Sequence, residues 1–430
     1  MAALVSKRRV VGKMLGLLVL LLLWFSIQPL RAQPLAPEVC LSCHGVAGLD
    51  KARDGKKISL QVDGQAFARS LHAPLGCGAC HSDASAVPHP PELKRVDCSA
   101  CHAQAATDFS DSVHGKAREN KDGDAPGCAG CHGSHDILRV KDPSSKVYPL
   151  NLPRTCGSCH GDPDLAKRHR IPVANAYQLY MDSIHGRALT RSGLLVAANC
   201  GSCHGAHRIL PALDPNSSVH RSNVPATCGQ CHAGVVRTFS AGIHGKAASD
   251  GNSKAPVCIN CHTAHEIRRV DMEDWKVEIV RECGVCHAQS LRTYRDTFHG
   301  QVTSLGFTRI ARCSDCHGAH EILPVSDPNS SVAPARIVET CRKCHPAANA
   351  SFAKYDPHAE PANRTRNPLL FYSSRFMSGL LASVFVFFGL HTVLWAGRAL
   401  LLRRRQAARS PEDREPPPAG ESSPGEEEKQ

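Results

Sequence analysis

All 22 cysteines of this 430-residue chain fall into eleven Cys-x-x-Cys pairs, and a histidine follows every pair. Histidine makes up 25 of the 430 residues, so chance placement behind each of eleven pairs is negligible. Cys-x-x-Cys-His is the attachment signature of c-type haem, and here it leaves no cysteine over. The motifs crowd so closely that each haem would have only about 30 residues around it, too few for a side-chain core. Aromatic residues are 5 % of the chain, while glycine and proline number 33 and 29. The expected fold is therefore elongated, mainly irregular and short α-helical, and cored by haem.

The flanks sort the motifs into two kinds. Six leading motifs are Cys40/Cys43/His44, Cys98/Cys101/His102, Cys156/Cys159/His160, Cys228/Cys231/His232, Cys283/Cys286/His287 and Cys341/Cys344/His345. Five following motifs are Cys77/Cys80/His81, Cys128/Cys131/His132, Cys200/Cys203/His204, Cys258/Cys261/His262 and Cys313/Cys316/His317. The step from leading to following motif is 30 residues from Cys98, Cys228 and Cys283, but 44 from Cys156, so the third unit carries an insertion. After the following motifs comes a shared segment, HDILRVKDPSSKV, HRILPALDPNSSV or HEILPVSDPNSSV, with an Asp-Pro turn. The chain thus reads as two-haem repeats.

Each haem iron needs a second axial ligand, and the repeat supplies matching numbers. The motif histidines are the proximal candidates. After the six leading motifs lie His72, His114, His185, His244, His299 and His358. After the following motifs lie His135, His207, His265 and His320, with His89 a more distant counterpart in the first unit. Six plus five makes eleven distal candidates, leaving His169, His220 and His391 unassigned among histidines outside the motifs. A lone histidine is usually a solvated or capping residue; repetition at fixed spacing argues for ligation. His89, lacking the short spacing, and His358, followed by alanine rather than glycine, depart from the pattern. Ligation by two histidines lacks the methionine that raises the potential of monohaem cytochromes, so low-potential, low-spin electron transfer is expected. A disulfide scaffold would not need a histidine after each pair, and neither would tetrahedral zinc sites.

The ends of the chain read as export and anchoring signals. Residues 1–32 carry Lys7, Arg8, Arg9 and Lys13, an apolar run from Leu15 to Ile27, and Ala32 as a cleavage position, the layout of a signal peptide. Residues 33–368 form the haem domain. A transmembrane helix is expected at 369–402, its apolar stretch running from Phe376 to Leu402. Arg403, Arg404 and Arg405 follow it, which puts the C-terminus in the cytoplasm and the haem domain in the periplasm of a bacterial inner membrane. The tail at 403–430 ends Pro- and Glu-rich and is expected to be disordered. The net charge of +12 gives no sign of a nucleic-acid partner. Two propionates on each of eleven haems would add about 22 negative charges.

The segments CAGCHGSHDI, CGSCHGAHRI and CSDCHGAHEI resemble the doubled-motif multihaem c-type cytochromes of respiring bacteria, over about residues 40 to 345. The stretch from YDPHAEP through the apolar helix is similar to the anchor of periplasmic multihaem cytochromes that partner a membrane-embedded b-type cytochrome subunit. This resemblance implies eleven covalent haems c and electron transfer between the quinol pool and periplasmic donors or acceptors, with no substrate bound by the chain itself. The alternative is a multihaem reductase of a small nitrogen or sulfur compound. Such enzymes often replace a motif histidine by lysine at the catalytic haem, and no such variant occurs here. A weakly ligated haem near His89 or His358 would be the place to look for one. His391, inside the apolar stretch, is a histidine at membrane depth; such residues usually face a protein interior, and it is a candidate contact for a haem b shared with the membrane partner.

Overall fold

In a computed structural model of the chain, the structure describes residues 35–53 and 55–408. The signal-peptide segment and the tail beyond Ala408 lie outside the described residues. The chain is mainly helical (51 %) with little sheet. Two compact units divide it: one holds the chain to Glu282 together with His317–Ala333, the other holds Cys283–Cys316 and the chain from Pro334 onward.

Helices are short because proline and glycine punctuate every repeat and because each packs on few neighbours. Most span five to nine residues, such as Val113–Glu119, Leu152–His160 and Cys200–His204. The one sheet among the described residues, an antiparallel hairpin of Asp50–Arg53 and Lys56–Ser59, was not expected from the residue pattern. Fully buried side chains are few and mostly small: Leu189, Pro153, Ser112 and Ser183. A shell this thin cannot stabilise a chain of this length by apolar burial alone.

Backbone hydrogen bonds link successive repeats in one register. The N–H before each leading distal histidine donates to the isoleucine carbonyl of the next repeat's shared segment. The four bonds are Leu71 to Ile137, Val113 to Ile209, Ile184 to Ile267 and Ile243 to Ile322, at 2.8, 2.9, 2.8 and 2.8 Å. The Asp-Pro turns are closed by their own side chains: Asp142 and Asp214 accept from the N–H two residues on, both at 2.8 Å. Asn151 and Asn223 then hold the turns from behind, through Nδ2 to Pro143 O and Pro215 O, both at 2.8 Å.

The C-terminal helix runs Pro368–Ala407, 40 residues, long and apolar enough to cross a membrane. It begins one residue before the expected segment and continues through Arg403–Arg405 to Ala407, so the start of the expected disordered tail is helical. Arginine is a good helix former and sits well at a helix C-terminus, which favours this extension.

Candidate metal centres

The Cys-x-x-Cys-His spacing works because it closes one helical turn. In Cys128–His132, Cys200–His204, Cys258–His262 and Cys313–His317 the motif is itself a five-residue helix. Its thiols at i and i+3 share a face with the imidazole at i+4. Elsewhere it is a tight 3₁₀ turn, as at Cys77–Ala79 and Cys98–Ala100, or the end of a longer helix, as in Pro37–His44 and Leu152–His160.

No disulfide joins any of the 22 cysteines. A fold cored by haem would turn its attachment thiols inward, and the polypeptide departs from that expectation at eight of them. Cys43, Cys80, Cys101, Cys231, Cys286 and Cys344, each the second cysteine of its motif, are exposed, as are the first cysteines Cys98 and Cys128; the others are half-buried. The cause is local. A second cysteine closes a single turn, at Cys80 and Cys101 directly after a three-residue 3₁₀ helix and at Cys43 one residue before the end of a short helix. Few side chains of so thin a shell reach the end of such a turn to cover it. The motif spacing, rather than burial, is what marks Cys43, Cys80 and Cys101 as attachment positions.

Four leading distal histidines occupy the second position of a helix: His114, His185, His244 and His299. Ser112, Ser183 and Thr297 cap three of these helices by accepting from the N–H three residues on, at 3.0, 3.0 and 3.2 Å. The glycine after each histidine is required by the corner with the preceding helix. A Cβ on Gly115 or Gly186 would stand 2.0 Å from the carbonyl oxygen of Phe109 or Tyr180. The following distal histidines are placed differently. The chain leaves each motif helix through a residue in the left-handed region, Gly133, Gly205, Thr263 or Gly318 at φ 86°, 79°, 60° and 82°, and reaches His135, His207, His265 or His320 two residues later.

Imidazole rings from different repeats meet in pairs. His72 lies 5.9 Å from His102, His114 6.0 Å from His160, His185 6.1 Å from His232, and His299 6.1 Å from His345. Each leading distal histidine thus faces the leading proximal histidine of the next repeat. The following set runs the opposite way: His135 pairs with His81, His207 with His132, His265 with His204 and His320 with His262, at 6.3, 6.0, 6.1 and 6.1 Å. His89, expected to belong with the following motif of the first repeat, instead lies 5.9 Å from the leading His44. No motif precedes His44 in this sequence to supply it from an earlier repeat. His244, His287, His317 and His358, two proximal and two distal candidates, complete the eleven.

These separations suit a shared metal. Rings in direct contact would stack near van der Waals distance, about 3.5–4 Å. Two imidazoles bound to one iron, each nitrogen about 2 Å from it, have centres about 6 Å apart. Several rings are also oriented as ligands are. Nδ1 of His44 bonds Leu60 O at 2.9 Å, Nδ1 of His89 bonds Pro90 O at 2.8 Å, and Nδ1 of His358 bonds Thr293 Oγ1 at 3.1 Å. A bond at Nδ1 sets the tautomer and leaves Nε2 to the metal. Nδ1 of His81 is buried with no hydrogen-bond partner, a costly arrangement unless the ring serves another purpose. Burial holds His114, His160, His185, His204, His262 and His265 below the ordinary histidine value, so they stay neutral, as a ligand must be.

The thiols show that neighbouring motifs also adjoin. First cysteines of paired motifs hydrogen-bond: Cys40 with Cys77, Cys98 with Cys128, Cys156 with Cys200, Cys228 with Cys258 and Cys283 with Cys313. Burial, then Cys40, pushes Cys77 up to about 11. Between repeats, Cys131 feels Cys156 and Cys159, Cys203 feels Cys228 and Cys231, and Cys316 feels Cys341 and Cys344. Within each compact unit, consecutive motifs are therefore spatial neighbours in chain order.

The fourth repeat departs from the others. Arg268 stands where Leu138, Leu210 and Leu323 lie, and it pairs with Glu266 at 2.8 Å, Glu278 at 3.0 Å and Asp274 at 3.3 Å. Trp275, on the Glu273–Cys286 helix that replaces the Asp-Pro turn, lies 5.8 Å from the His262 ring with planes 10° apart. No motif marked Trp275; only its position, eight residues before Cys283 as Tyr148 stands before Cys156, could have found it. Of the unassigned histidines, His169 bridges Asp122 at 3.3 Å and Asp124 at 2.9 Å, and His220 Nδ1 bonds Ser222 Oγ at 2.8 Å. His391 is exposed on the C-terminal helix. No protein-family model, curated protein or solved structure matches the chain.

Proposed function

We propose that the chain is a membrane-anchored multihaem c-type cytochrome, which carries electrons between the quinol pool, through a b-type membrane subunit, and periplasmic redox partners. The observation that carries this reading is the set of histidine pairs at 5.9–6.3 Å, arranged in one register through the repeats. The two cysteines of each motif would hold a haem covalently, and paired imidazoles would fill both axial positions. Haem supplies one-electron chemistry at an iron with no position open to a small molecule. The residues around it fix ligand tautomers through Nδ1, keep the imidazoles neutral by burial, and set neighbouring attachment sites side by side. The pairing of His89 with His44 weighs against a vacant site in the first repeat, where a reductase reading would have placed one.

Intact mass spectrometry of protein matured in a host competent for cytochrome c should show eleven haem additions, and the ferric protein should be low-spin throughout. Fewer than eleven, or a substantial high-spin fraction, would count against the reading. The haem domain is assigned to the periplasm on the strength of Arg403–Arg405. His391 is assigned a haem b contact: His391→Ala should lower haem b content and quinol-driven reduction of the c haems in the complex with the membrane subunit. Wild-type levels in an assembled complex would exclude that role.

A further inference from the structure

The corner that follows the leading distal helix has a different chemistry in the last repeat. In the second and fourth repeats it is polar, Asn120-Lys121-Asp122 and Asp250-Gly251-Asn252; in the fifth it is Leu305-Gly306-Phe307. Leu305 is 87 % exposed and Phe307 52 %. Phe298 lies seven residues before Leu305 on one helix face and is 73 % exposed. Its counterparts Leu71, Val113, Ile184 and Ile243 each donate their N–H to the next repeat, and no backbone acceptor among the described residues meets Phe298. Haem does not explain the change, because the equivalent positions beside equivalent histidines are polar.

The surroundings are basic. Arg292, Arg295 and Arg309 are exposed and join no ion pair among the described residues, and residues 288–310 contain one acid, Asp296. The segment is also tied to the start of the membrane helix. Gln289 on the Ala288–Arg295 helix bonds Glu360, and Thr293 on the same helix bonds His358 at 3.1 Å. Glu360 N–H in turn donates to Oδ1 of Asn367 at 3.1 Å, the residue directly before Pro368. From Pro368 to the first apolar residue, Phe376, is about 12 Å of helix, which is headgroup depth above a hydrocarbon core of about 30 Å.

We infer that the hairpin of Ala288–Arg295 and Phe298–Ser304, with the corner at Leu305 and Phe307, is a membrane-surface contact. Phe298, Leu305 and Phe307 enter the interface, and Arg292, Arg295 and Arg309 meet anionic phospholipid headgroups. The contact holds the His299–His345 pair against the bilayer. It rests on the reading that the Pro368–Ala407 helix spans the membrane.

The test uses the full-length haem-loaded protein in nanodiscs of phosphatidylcholine and phosphatidylglycerol containing a photoactivatable phosphatidylcholine, with adducts mapped by mass spectrometry. Adducts are expected at residues 298–309. They should fall to the level seen at residues 243–252 in the double variant Leu305→Asp, Phe307→Asn, which copies the fourth repeat, while the haem spectrum is unchanged. Leaving out phosphatidylglycerol should reduce them too; unchanged labelling would overturn the role of the arginines. An unlabelled 298–309 beside a labelled 376–402, or labelling that persists in the double variant, would overturn the contact. So would a protein cross-link in place of lipid adducts in native membranes. Absence of adducts at 376–402 would instead strike the spanning reading.

Discussion

The crossed register makes a prediction that sequence proximity would get wrong. His207 stands three residues after His204, yet its ring lies 6.0 Å from His132, which belongs to the motif at Cys128. His207→Ala should therefore leave the haem at Cys128 and Cys131 with one axial ligand and leave the haem at Cys200 and Cys203 untouched. The perturbation is one haem in eleven, so about 9 % of the ferric signal should move from low to high spin. Electron paramagnetic resonance reads that fraction, and two backgrounds locate it. With Cys128 and Cys131 replaced by serine, adding His207→Ala should create no new high-spin signal, because its haem is already gone. With Cys200 and Cys203 replaced instead, the high-spin signal should appear in full. The reverse outcome, loss of the signal only in the Cys200/Cys203 background, would show that the histidine serves its own repeat and would refute the crossed register.

Three further outcomes are expected. Gly186→Ala puts a Cβ 2.0 Å from Tyr180 O; overpacking at this level costs about 1–3 kcal/mol, seen as a lower Tm, and should displace His185 enough to raise the high-spin fraction. Gly205→Ala meets only Arg208 O at 3.7 Å, so its cost should be the left-handed backbone alone, about 1–2 kcal/mol, with ligation intact. Burial lowers His204 and His265 below the ordinary 6.5, so the unfolded chain binds more protons in acid. Stability is then fully present above pH 6.5 and lost as pH falls through the lower folded values. The low-spin spectrum should stay flat to below that pH, and a loss centred above it would refute the burial argument.

Much of the site was legible because its chemistry is local. The thiols and proximal imidazole of each motif lie within one turn, and the distal candidates recur at fixed offsets, so composition and spacing found them. Partner choice was not legible, because His89 and His44 come together only through the fold of the first repeat, with Leu60 and Pro90 holding their Nδ1 atoms. Nor was the exposure of Cys43, Cys80 and Cys101, which depends on how few side chains pack over the turns that carry them. Trp275 escaped for a similar reason: its contact with His262 depends on a helix that replaces a turn. The hairpin at Asp50–Arg53 has no strong strand pattern, and its pairing follows from the Gly55 turn at φ 72°.

The opposite directions of ligand exchange bear on how such a chain can mature as it leaves the export channel from its N-terminus. A leading site receives its distal imidazole from the repeat before it, already translocated, and can close as soon as its own motif emerges. A following site receives it from the repeat after it: His132 waits for His207 and His204 for His265, 75 and 61 residues later in the chain. At every moment of export, then, the newest following site is half-ligated and open to whatever small ligand is at hand. Stalled or truncated chains would carry that open site permanently, an internal mark of incompleteness that full-length protein loses.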